Sequence, residues 1–178
     1  MSNEDVLQSL QPYFEDGISL EELDKIKELH DTFHRDFFEN PVTIDGTTLK
    51  VKPYKYARSE KDGLPAEFEQ FYEKFVHIIT RDVKPRWKGQ SKHREFDSKR
   101  ANRIHWIRPI LEHCADPCIT RFEFLEADGS LREYFWCRAV QYIVIIEYIR
   151  PDYALITGFC VDAENREYFQ NKYTNRVK

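Results

Sequence analysis

A chain of 178 residues with 41% hydrophobic, 15% aromatic and 33% charged side chains has material for one sizeable core and a well-solvated surface. This excludes a disordered chain, and no apolar run approaches a membrane-spanning length. The acidic, polar N-terminus lacks an export signal, so a cytoplasmic protein is expected. The net charge of −4 hides a split: residues 1–76 carry nine basic and seventeen acidic groups, whereas residues 77–178 carry eighteen and fourteen.

In chain order, Ser19-Leu20-Glu21-Glu22 forms a capping box, and Leu20, Leu23, Ile26, His30, Phe33 and Phe37 follow at helical spacing. Asp45-Gly46 between the β-prone runs 42–44 and 47–51 predicts a small hairpin. Residues 56–63 are polar and turn-rich and read as a linker. Pro65 opens a predicted helix whose stripe is Phe68, Phe71, Tyr72, Phe75, Val76 and Ile79, with Glu73, His77 and Arg81 opposite.

A basic loop then leads to Asp97, the expected N-cap of a helix with Ala101, Ile104, Ile107 and Leu111 inward. Arg100 and Arg103 are three apart on its first turns, and Pro109 is expected to kink or shorten it. Residues 81–108 carry ten basic and three acidic groups, the pattern of a phosphate-binding surface. Trp87 and Trp106 fall within this segment as possible base-stacking rings.

The remainder predicts four antiparallel strands, near 119–126, 131–137, 141–149 and 153–161, with turns at Asp128-Gly129 and Pro151-Asp152. The third, apolar on both faces, is expected to be central. A helix over 163–173 closes the chain. The fold class is therefore α+β: an acidic helical and hairpin portion, residues 1–63, and a basic domain, residues 64–178, with helices on a four-stranded antiparallel meander.

No phosphate-binding glycine loop, metalloprotease helix, serine elbow or calcium loop is present. His113, Cys114 and Cys118 lie close together but lack paired-ligand spacing, and Cys137 and Cys160 fall in apolar strands. All four cysteines are expected to be structural thiols, with no metal and no cofactor. Glu147 is a carboxylate in an apolar strand and needs a cationic partner or a task. Thr157 stands beside Gly158, where backbone or ligand can approach closely.

The stretches 75–81, 94–107, 142–147 and 153–162 together resemble a pattern in phage- and plasmid-associated proteins. These belong to the barnase, EndoU, colicin and RelE superfamily of ribonucleases. The resemblance covers about residues 70–175, and the chain has Gly158 where a Thr-Ala-Phe form is common. It implies an endoribonuclease working without metal, by attack of the RNA 2′-OH on the adjacent phosphate. His77 is then the general acid or base, Arg81, Arg100 and Arg103 contact phosphate, and Thr157 positions substrate. Glu147 and Tyr173 are second candidates for proton transfer. The implied partners are RNA and an inhibitor or antitoxin protein, the roles a toxin, a phage or mobile-element nuclease, or a housekeeping enzyme. A non-catalytic RNA- or partner-binding module is the alternative, to be preferred where the named side chains disperse.

Overall fold

The computed structural model describes residues 3–178, with side chains from Val6 onward. Helix α1 (Asn3–Ser9) precedes α2 (Leu23–His34), which continues through one wider turn, Arg35–Glu39. Half of the capping box forms: the Glu22 carboxylate accepts the Ser19 amide at 2.8 Å. The hairpin forms as β1 (Thr43–Ile44) and β2 (Thr47–Lys50), with Asp45 and Gly46 both at positive φ, as a tight two-residue turn requires.

Two predicted helices are broken, each for an identifiable reason. The expected helix after Pro65 splits into a 3-10 turn, Ala66–Gln70, and α3 (Glu73–Ile79). Between them Phe71 and Tyr72 are extended, because their backbone is taken by residues 54–56: Tyr56 donates to the Phe71 carbonyl and Glu73 to that of Tyr54. The helix ends at Ile79, so Arg81 falls on a strand and does not share a helical face with His77. The helix capped by Asp97 is only α4 (Ser98–Ala101), followed by a 3-10 turn, Ile104–Trp106, and α5 (Ile107–Glu112). Its break lies at Asn102, not at Pro109. Buried Asn102 exchanges two hydrogen bonds with the Phe14 backbone, at 2.7 and 2.9 Å, whereas Pro109 sits in the first turn of α5, where no helical amide bond is lost.

Strands β3 (Thr80–Val83) and β4 (His93–Phe96) form a separate antiparallel ribbon. The chain then runs through β5 (Ile119–Leu125), β6 (Leu131–Cys137), β7 (Tyr142–Ile149), β8 (Asp152–Cys160) and α6 (Ala163–Thr174). The expected four-stranded meander is corrected in one respect. Among the described residues the main sheet has six strands, β1-β2-β8-β7-β6-β5, with β2 parallel to β8 and the other neighbours antiparallel. The hairpin extends the meander at β8, covering an edge that would otherwise be left open. Arg121 secures it, joining Asp45 of the hairpin turn at 2.6 Å and Glu133 of β6.

Alternation along β7 divides the apolar residues between two cores. Tyr142, Val144 and Ile146 face the larger one, filled from both sides of position 63, by Ile26, Phe33 and Leu49 as well as Phe75 and Ile107. Ile143 and Ile145 face a smaller core that includes Phe122, Tyr134, Trp136 and Phe169. Gly158 lets β8 pack closely on α5: a Cβ there would lie 2.8 Å from Ile107 Cγ1 and 3.0 Å from the Tyr142 hydroxyl unless those side chains shift. Among the described residues no helix is long and apolar enough to cross a membrane, and no three ligating side chains gather as a metal site. Cys137 and Cys160 are buried, and Cys114 and Cys118 are partly so.

Candidate active site around His77

The break at Phe71–Tyr72 sets where α3 begins and so which side chains it turns outward. Phe75, Val76, Ile78 and Ile79 are buried, leaving Glu73, Lys74 and His77 on the opposite side. Strand β2 pairs with β8 only at Tyr153 and Ala154. Beyond that point a bulge at Ile156 shifts the β7–β8 register, and Lys74 Nζ donates to the Ile156 carbonyl at 2.9 Å. A cleft of about 360 Å³ opens here, with Lys50, Lys52, Tyr54, Glu73, Lys74 and His77 around apolar Val51, Ile149, Leu155 and Ile156. A second cleft of about 230 Å³ is lined by Lys55, Tyr56, Glu73, His77 and Arg94. Glu73 and His77, one turn apart, line both clefts.

The C-terminal end of α3 is held by arginines. Arg94 donates to the His77 carbonyl at 2.8 Å, the Thr80 carbonyl at 3.2 Å, the Thr80 hydroxyl at 2.9 Å and Asp82 at 2.8 Å. Arg100 reaches the Thr80 carbonyl at 3.2 Å and lies 5.2 Å from the Phe159 ring centre. Guanidinium groups at the carbonyl end of a helix are favourably placed. They have a consequence for His77. Desolvation by the surrounding chain, then the charges of Arg94, Lys74 and Arg100, opposed by Asp82, lower its pKa to about 4. The side chain is exposed at the cleft mouths, so water screens part of this effect, but the direction keeps the imidazole neutral at pH 7. Desolvation also lowers the pKa of Lys74, with Glu73 opposing and Arg132 reinforcing it.

The other residues singled out in the sequence lie apart. Arg81 is exposed on β3, opposite Glu95. Arg103 donates to the Lys99 carbonyl and covers the Trp106 ring at 5.2 Å. Thr157 pairs with Ile145, and so faces the smaller core. Glu147 is engaged by Arg132 at 3.3 Å. Tyr173 packs beside Phe122 and carries Arg138 and Arg176 over its ring. The structure therefore joins His77 to Arg100 only indirectly, through Arg94 and Thr80, and leaves Arg81, Arg100, Arg103, Thr157, Glu147 and Tyr173 off the clefts.

In their place it supplies Glu73, Lys74, Arg94, Lys50 and Lys52. The spacings of Glu73 and Lys74 from His77, four and three residues, were a usable signal. The lysines of β2 carried none, because their approach to α3 depends on how the hairpin joins the sheet. Comparison with protein-family models, with curated proteins and with solved structures found no match in any of the three, so the reading of this site stands on its own residues.

Proposed function

We propose that the protein is a metal-independent endoribonuclease acting in the cytoplasm, with His77 as the base. The observation that carries this reading is an exposed imidazole at the mouths of two clefts lined by Lys50, Lys52, Lys74, Lys55 and Arg94 and by one carboxylate, Glu73, with Lys50 also paired to Asp152 and Arg94 to Asp82. An RNA backbone placed there meets charge opposite to its own. His77 takes the 2′-OH proton as that oxygen bonds to phosphorus. The phosphorus–O5′ bond then breaks, leaving a 2′,3′-cyclic phosphate. Lys74, a stronger acid than an ordinary lysine because of its desolvation, protonates the departing 5′-oxygen. Arg94 adds positive charge for the phosphorane, and an inhibitor or antitoxin would need acidic groups matching the cations of the clefts.

A second reading, a non-catalytic RNA-binding module, is favoured by the dispersal of the named side chains: Arg100 and Thr157 lie off the clefts, and Glu147 and Tyr173 are occupied elsewhere and bring no proton-transfer group to them. Single-turnover cleavage of RNA in chelator, with analysis of the ends, separates the two. General acid–base catalysis by one side chain is worth about 10²- to 10⁴-fold, so His77→Ala loses that much rate while RNA affinity stays within about twofold. Full activity in the variant refutes the mechanism. Salt-sensitive binding by the wild type without cleavage establishes the binding module instead.

A further inference from the structure

The ribbon of β3 and β4 carries a feature that the His77 clefts do not use. From Val83 to Arg94 the chain has no acidic residue, and its tip, residues 84–92, contains Lys84, Arg86, Lys88 and Lys92 around Trp87. Lys92 is paired with Asp82 at 3.1 Å, but among the described residues no carboxylate forms an ion pair with Lys84, Arg86 or Lys88. Trp87 is 64% exposed, whereas Trp106 and Trp136 are buried at 4% and 1%. Leaving a large aromatic surface in water is unfavourable unless something covers it.

The tip has a defined shape. Gln90 N–H donates to the Trp87 carbonyl at 3.2 Å, and the Gln90 side chain accepts the Arg86 amide at 2.7 Å. Gly89, at φ +99, supplies a turn conformation that other residues rarely adopt. At the other end Arg94 fastens the ribbon to the end of α3. A single exposed ring between unpaired cations matches a base flanked by its phosphates. No other large apolar side chain is exposed on the tip, which leaves too little apolar surface for a membrane interface.

We infer that the β3–β4 ribbon is a second RNA-contacting element, in which Trp87 stacks on an unpaired base while Lys84, Arg86 and Lys88 hold the neighbouring phosphates. This rests on RNA being the ligand, and is independent of where cleavage occurs. The test uses the full chain and a short 2′-O-methyl oligouridine, which resists 2′-OH attack. Titration quenches the tryptophan emission of the wild type. By anisotropy of the labelled oligomer, Trp87→Ala binds roughly 5- to 100-fold more weakly, and Trp87→Phe keeps most of the affinity. Replacing Lys84, Arg86 and Lys88 together by Gln lowers the slope of log affinity against log salt by about 2. Circular dichroism checks that each variant is folded. Equal affinity of Trp87→Ala and wild type overturns the ribbon proposal while leaving the His77 reading intact. Quenching by anionic phospholipid vesicles but not by the oligomer also overturns it. A wild type that binds no RNA at low salt overturns both.

Discussion

Beneath α6, Lys172 Nζ lies 2.6 Å from Glu126 and 2.8 Å from the Tyr134 hydroxyl, and that hydroxyl also donates to Glu126. Around α3, among the described residues, Lys74 donates to the Ile156 carbonyl, no carboxylate is bonded to the His77 ring, and Arg94 and Arg100 crowd the end of the helix with one carboxylate each, Asp82 and Asp97. The first group is closed: its charges are opposite, mutually bonded and almost out of reach of water. Burial alone would lower the Lys172 pKa, but its bonds to Glu126 and Tyr134 raise it. The second lines its clefts with more cations than carboxylates, which leaves room for an anion from outside. Similar residue types are thus closed on one another and nearly dry in one place, and in excess and open to water in the other.

The contrast can be broken from either side. The largest effect is expected at His77, where Ala removes about 10²- to 10⁴-fold of cleavage rate but leaves the melting temperature close to that of the wild type. Lys172→Ala should do the reverse. It strands the Glu126 carboxylate, with 14% side-chain exposure, at a cost of about 3 kcal/mol, read as a lower denaturant midpoint with unchanged cleavage per folded molecule. A change of less than about 0.5 kcal/mol would show that the triad is not closed. Gly158→Ala pushes a methyl group against Ile107 and Tyr142. A loss of about 1 to 2 kcal/mol is expected in urea unfolding, and a neutral result would mean that α5 yields freely.

The smallest effect concerns pH. His30, enclosed by the Phe71, Tyr72 and Phe75 rings, accepts the Tyr72 amide at 3.3 Å, and burial lowers its pKa to about 4, as at His77. Unfolded, both histidines titrate near 6.5, so as pH falls the unfolded state takes up protons first. The stability they contribute is complete above about 6.5 and is lost as pH falls toward 4. His30→Gln, which keeps an acceptor but no titration, should flatten urea stability against pH across that window. An unchanged profile would assign the dependence to other groups.

The sequence by itself determined the elements whose cause is local. Asp45-Gly46 permits the two positive φ angles of its turn, β-prone runs between turn residues mark β5 to β8 within a residue or two, and Asp97 caps the helix it was expected to cap, accepting the Arg100 amide. His77 was visible as an outward histidine on a helix, because an apolar stripe defines its opposite face. Tertiary structure decided the rest. Asn102 left its helix to satisfy the Phe14 backbone, and Phe71–Tyr72 became extended to pair with residues 54–56. The hairpin joined β8 in parallel and carried Lys50 and Lys52 to the side of α3. Each of these outcomes is set by hydrogen-bond partners distant in sequence. Local propensity and periodicity report which face of an element is apolar, but they do not say which backbone or side chain will meet it.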